Sequence, residues 1–160
     1  MTNTQLARKL VGVFSKHGFT LATAESCTGG LIAKLVTDIS GSSRVLCGGC
    51  VTYTNEAKMN VLHIPSAIIE SDTEVSHACA KAMAENTRQI FAGTFGISTT
   101  GFAGPTGGTE QDPVGTVYIG LSTPQGAFSE RFSAPAGATR AQVRNAAAKR
   151  ALELLLEACE

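Results

Sequence analysis

A serine followed three residues later by paired glycines, in the run Ala24-Glu25-Ser26-Cys27-Thr28-Gly29-Gly30, is an arrangement suited to acyl transfer. Thr20 to Ala24 read as a short extended segment, and Leu31, Ile32, Ala33, Leu35 and Val36 recur at helical spacing, so the glycines fall at a helix start. Backbone amides are unpaired there and the helix dipole is positive. Such a turn can hold a carboxylate, a phosphate or the transient oxyanion of acyl transfer. A serine ahead of Gly-Gly equally serves as a plain helix cap.

A serine alcohol attacks only when a base removes its proton. The three histidines offer little: His17 sits at a helix end, His63 precedes Ile64-Pro65, and His77 falls in the first turn of a helix. None has a carboxylate neighbour in sequence, so a Ser-His-Asp arrangement is weakly supported. The segment Thr52-Tyr53-Thr54-Asn55-Glu56-Ala57-Lys58 instead puts a phenol at a strand end and an amine one turn into the next helix. Burial that lowers its pKa would let Lys58 act as the base, whereas a half-buried Tyr53 and a solvated Lys58 are the bland alternative.

A third segment, Thr99-Thr100-Gly101-Phe102-Ala103-Gly104-Pro105-Thr106-Gly107-Gly108, leads to Asp112-Pro113-Val114-Gly115-Thr116. Its glycines let backbone approach a ligand, yet it is neither a Walker loop nor a GxGxxG fingerprint. A phosphate or ribose cradle and an ordinary set of turns both fit it. Glu25, next to Ser26 in a strand, faces the other way and is at most an orienter, and Cys27 is expected toward the core.

These segments need a scaffold. Leu6, Leu10, Val13 and Phe14 mark an opening helix that His17-Gly18 can end. A strand, the glycine-started helix and a Gly41-Ser42-Ser43 loop follow; Cys47 to Thr54 then alternates as a second strand, with Asn55 as the expected cap of a short helix. Ser76 opens a helix to about Phe91, with Val75, Cys79, Ala82, Met83 and Ile90 inward, before a small strand from Gly96 to Thr100. Val114 to Ser122 and Ala127 to Ser133 flank the turn Thr123-Pro124-Gln125-Gly126 as a hairpin. A closing helix buries Val143, Ala147, Ala151, Leu154 and Leu155. This order predicts an α/β fold in which helices cover a mixed sheet.

The chain has 160 residues, the size of one domain with its own core, so residues 1–160 are expected to form a single domain. Thirteen Lys+Arg balance thirteen Asp+Glu, and neither sign gathers into a block, which argues against nucleic-acid and membrane partners. Apolar runs such as Leu10 to Phe14 are too short to span a bilayer. Five scattered cysteines fit a reducing compartment, so a cytoplasmic location is expected. Cys47-Gly48-Gly49-Cys50 could suit a redox pair or half a zinc site, but strand residues three apart face opposite ways and no second ligand pair completes a metal centre.

Taken together, Ala24 to Gly30, Val51 to Lys58, Gly101 to Gly108 and Pro113 to Val117 resemble, in order and over nearly the whole chain, the CinA C-terminal family. Nicotinamide-nucleotide amidohydrolases belong to that family. The resemblance implies a three-layer α/β/α sandwich with a mixed sheet of about five strands. It also implies an amidase that converts nicotinamide mononucleotide to nicotinic acid mononucleotide and ammonia, without metal or organic cofactor. Carried over by motif, Ser26 is the nucleophile, Lys58 its base and later proton donor, and Tyr53 a hydroxyl that orients or relays the proton. Thr28, Gly29 and Gly30 would surround the oxyanion, and the loop containing Gly101, Ala103, Gly104, Thr106 and Gly107 would hold the ribose phosphate. The family pattern has a basic residue before Pro-Val-Gly, where this chain has Asp112; Arg140 or Arg144 could supply the charge instead. A non-catalytic nucleotide-binding module and an amidase for another small carboxamide are the competing readings. A small enzyme of this apolar composition is also expected to be a homo-oligomer.

Overall fold

The computed structural model describes residues 1–160. Its five strands are β1 (Leu21–Glu25), β2 (Leu46–Val51), β3 (Phe95–Gly101), β4 (Thr116–Thr123) and β5 (Gly126–Ser133). They form one mixed sheet in the order β2-β1-β3-β4-β5. The first three are mutually parallel and the last two antiparallel, so the sheet is mixed as the element order predicts. The six α-helices are α1 (Asn3–His17), α2 (Leu31–Thr37), α3 (Asn55–Leu62), α4 (Ser66–Asp72), α5 (His77–Ile90) and α6 (Arg140–Glu157).

Helices cover both faces, which is why every residue of β1 is buried. On one face α1, α2 and α6 enclose the main core, with Leu10, Phe14, Ile32, Ile97, Ile119, Leu152 and Leu155 fully buried. A smaller cluster of Ala24, Leu62, Ile64, Cys79 and Met83 fills the other face beneath α3 and α5. There α5 lies almost on the sheet. A Cβ at Gly96 or Gly120 would collide with the carbonyl oxygen of Ala84 or Ala80, so only glycine admits that approach.

Local signals explain the ends of most elements. Thr2 and Gln5 form a capping box at α1, Gly18 closes it in the left-handed conformation (φ 70°), and Thr139 with Gln142 repeats the box at α6. Ser76 caps α5 by accepting from the Cys79 amide. The expected inward residues of α6 are all buried. Those of α5 hold at Val75, Cys79 and Met83, while Ala82 is half-buried and Ile90 is exposed. The buried stripe of α5 ends instead at Thr87, whose hydroxyl donates to the β1 carbonyl of Thr23 at 2.9 Å. The helix α4, introduced by Pro65, is an element the periodicity does not announce. No helix is long and apolar enough to cross a membrane.

Two boundaries matter for the site. β2 stops at Val51 rather than reaching Thr54, and Thr54, not Asn55, caps α3: its hydroxyl accepts from the Ala57 amide at 3.0 Å. The chain therefore leaves the sheet three residues early. Asn55 becomes the first helical residue, and Lys58 comes back over Thr52.

Candidate active site

β1 ends on Glu25, and the chain then turns through Ser26 to Gly30 into α2. The Ser26 amide donates to the carbonyl of Thr99 on β3 at 3.0 Å, which fixes the serine at the carboxyl end of two parallel strands. Glu25 is 1 % exposed, and its carboxylate accepts from the Thr28 hydroxyl (2.7 Å) and the amides of Ile32 (2.9 Å) and Ala33 (3.1 Å). The anion at the start of α2 is thus the chain's own. A buried carboxylate is tolerable only with such partners and at the positive end of a helix.

The rest of the turn is equally committed. The Thr28 hydroxyl also meets that of Thr99 at 2.7 Å, and Arg144 donates from Nε to the Cys27 carbonyl (3.1 Å) and from Nη2 to the Thr28 carbonyl (2.9 Å). Thr28 is fully buried, Gly29 faces Arg144 and Gly30 faces Val51. None of these three lines the cavity beside Ser26, where the motif would have had them surround an oxyanion. Cys27 does border that cavity, and its amide makes no hydrogen bond to another residue.

Lys58 is 1 % exposed, and its Nζ donates to Ser26 Oγ at 3.2 Å and to the Thr52 carbonyl at 2.9 Å. Burial holds the Lys58 pKa below the ordinary lysine value, opposed by the nearby Cys79, Glu74 and Cys27. An amine so placed spends more of its time neutral. In that form its lone pair can accept the Ser26 proton while the Thr52 carbonyl keeps it aimed. A competing thiolate is absent, because burial pushes the Cys27 thiol up to about 12.

Ser26 and Lys58 open onto a cavity of about 360 Å³, enough for a small-molecule ligand. Gly101, Ala103, Gly104 and Thr106 of the glycine-rich loop line it; Gly107 does not. Tyr53 is 56 % exposed at the rim, and its hydroxyl accepts from Arg140 Nη2 at 2.8 Å without a hydrogen bond to Ser26 or Lys58. Arg140 also donates from Nη1 to the Gly104 carbonyl at 2.8 Å. Of the two arginines weighed for an anionic ligand, Arg140 lines the cavity and Arg144 is spent on the Ser26 turn. Asp112 points elsewhere: it pairs with Arg131 (3.0 Å) and accepts from the Tyr118 hydroxyl (2.9 Å), so its charge braces the loop from outside.

The histidines stay out of this cavity. His17 donates from Nδ1 to the Val13 carbonyl (2.9 Å) and stacks on Phe19, and His77 meets the Ser129 hydroxyl at 2.6 Å. Cys47 and Cys50 are free thiols on β2, directed at the Leu21 and Thr23 carbonyls. Two site features escape the sequence reading. Glu74 lines the cavity from the stretch before α5, where only its place ahead of the Ser76 cap marks it. The hydroxyls of β3 are the other: Ser98 donates to the Ala80 carbonyl, Thr99 meets Thr28, and Thr100 donates to the Glu74 carbonyl at 2.7 Å.

Comparison with known proteins agrees along the whole chain. A CinA-like protein of Syntrophotalea carbinolica is 45 % identical over 152 residues, covering 94 % of this chain and 36 % of its own length. One from Myxococcus xanthus is 48 % identical over 141 residues, covering 88 % and 33 % respectively. The chain thus spans about a third of the length of the curated relatives it matches. Among solved structures, the competence/damage inducible protein CihA from Agrobacterium tumefaciens superposes with a TM-score of 0.93 at 36 % identity, covering 97 % of this chain and 94 % of that one. A CinA superfamily protein from Klebsiella pneumoniae 700603 gives 0.94 at 27 % identity, covering 99 % and 98 %. The family described as the CinA C-terminal domain matches residues 3–159, and the chain belongs to it.

Proposed function

We propose that this domain hydrolyses the carboxamide of nicotinamide mononucleotide, giving nicotinic acid mononucleotide and ammonia, with Ser26 as nucleophile and Lys58 as base. The observation that carries this reading is the buried Lys58 Nζ at 3.2 Å from Ser26 Oγ, on the wall of a cavity that also holds Arg140. Neutral Lys58 takes the Ser26 proton as Oγ attacks the carboxamide carbon. The charge that develops on the amide oxygen needs a donor, and the Cys27 amide follows the serine, borders the cavity and bonds to no other residue. The lysine ammonium then returns its proton to the departing nitrogen, ammonia leaves, and an acyl-serine remains. Water activated by the same amine cleaves the ester and restores Ser26.

The anionic end of the nucleotide fits Arg140, which the Gly104 carbonyl and the Tyr53 hydroxyl hold at the rim. In this arrangement Tyr53 acts on the substrate through Arg140 rather than on the proton transfer. The deciding experiment is ammonia release from nicotinamide mononucleotide by the purified protein, beside Ser26→Ala and Lys58→Ala variants of verified fold. Release by the parent alone supports the reading. No release by the parent overturns it in favour of a binding module or another carboxamide.

A further inference from the structure

Five titratable side chains line the cavity: Cys27, Tyr53, Lys58, Glu74 and Arg140. Four of them have roles or partners already described. Glu74 is the only carboxylate among them, and its side chain has neither a hydrogen bond nor an ion pair with the rest of the chain. Its backbone, by contrast, is firmly held. The Thr100 hydroxyl donates to the Glu74 carbonyl, Ser76 Oγ donates to the Thr73 carbonyl at 2.8 Å, and Thr73 Oγ1 donates to the Val75 carbonyl at 3.1 Å. Thr73 even adopts a positive φ of 68°, a conformation that costs a non-glycine residue energy. A half-buried carboxylate on a rigid backbone, without a partner of its own, is complementary to a cation or a strong N–H donor in the ligand.

The cavity is also polarised. The Glu74 backbone hangs on Thr100, the residue after the Thr99 whose carbonyl holds the Ser26 amide, whereas Arg140 is held by the Gly104 carbonyl and by the hydroxyl of Tyr53 at the exposed rim. The carboxylate therefore belongs to the reacting end and the guanidinium to the far rim. Resting on the amidase reading, a nicotinamide nucleotide presents the matching pattern, with a quaternary pyridinium nitrogen in the ring that bears the carboxamide and an anionic phosphate beyond the ribose. We propose that Glu74 is the residue that selects for a cationic ring, its carboxylate facing the pyridinium while Ser26 addresses the carboxamide.

The test compares nicotinamide mononucleotide with its dihydro form, which keeps the carboxamide, ribose and phosphate but has a neutral ring. The ratio of kcat/KM for the two is measured in the parent, in Glu74→Gln and in Glu74→Asp. Taking a ratio of ratios cancels the difference in intrinsic reactivity. Glu74→Gln is expected to lower the preference for the cationic ring by about tenfold, with Glu74→Asp restoring part of it. Equal changes for both nucleotides would mean that Glu74 acts only through Lys58 or the backbone, and would overturn the proposal. The same two ligands are titrated by calorimetry into Ser26→Ala and Ser26→Ala/Glu74→Gln. If the parent releases no ammonia, the amidase reading fails while these dissociation constants still decide Glu74. A cation preference that shrinks in the double variant supports the role; an unchanged preference, or no binding of either nucleotide, overturns it.

Discussion

The two glycine-rich turns of this molecule are built in opposite ways. Around Ser26 the turn is anchored from within: a buried carboxylate holds the amides of α2, an arginine holds two carbonyls, and a threonine pair ties it to β3. Between Gly101 and Asp112 the loop is braced at its edges, by Arg140 at Gly104 and by Asp112 through Arg131 and the buried Tyr118. The first region has its side chains and carbonyls bound before any ligand arrives and keeps the Cys27 amide free, whereas the second leaves Gly101, Ala103 and Thr106 facing the cavity. Preorganisation belongs where bonds are made and broken; adaptable contact belongs where a ligand is merely held. In kinetic terms, damage to the first turn should appear in kcat or in folding, and damage to the second in KM.

The sharpest way to break this contrast is at the amine. Lys58→Ala should lower kcat roughly 1,000-fold or more with little change in KM, read by steady-state ammonia release. In the parent, activity should rise with pH as Lys58 loses its proton, because the proposed mechanism uses the neutral amine as the base. The midpoint should lie below that of an ordinary lysine, since burial lowers this pKa. A pH-rate profile whose limb sits at the unshifted lysine position would contradict the burial argument.

Glu25→Ala should come next. It orphans the Ile32 and Ala33 amides and leaves the Thr28 hydroxyl only its Thr99 partner, so a loss of about 3 kcal/mol of stability is expected in denaturant unfolding. Arg140→Ala should raise KM by about tenfold while leaving kcat nearly unchanged. Asp112→Asn should do least, shifting Tm by no more than about 2 °C, because Arg131 is solvent-exposed and an asparagine oxygen still accepts from Arg131 and Tyr118. If Asp112→Asn proved as damaging as Glu25→Ala, the distinction between inner and outer bracing would fall.

How far these roles could be read in advance depended on how local they are. Caps, the hairpin and the apolar stripes of α1 and α6 depend on neighbours within a turn or two, and they are legible in the residues themselves. Ser26 and Lys58 were legible as candidates because a turn serine and a helix lysine are recognisable types, but their 3.2 Å contact spans 32 positions. Glu25 shows the limit. Alternation along a strand correctly turns it away from the site, yet nothing in its neighbours says that α2 will place two amides on its carboxylate. Glu74 was invisible for a similar reason, since its position in the cavity comes from a β3 hydroxyl 26 residues away.

β3 passes through all of this. Ser98, Thr99 and Thr100 are consecutive, and their hydroxyls reach α5, the Ser26 turn and the Glu74 backbone in that order. The attachment points of Ser26 and of Glu74 are therefore separated by a single strand step, about 3.3 Å. Breathing of the outer helices then acts as common-mode noise, carrying both attachment points together and leaving the difference between them, which is what a ligand senses, largely unchanged.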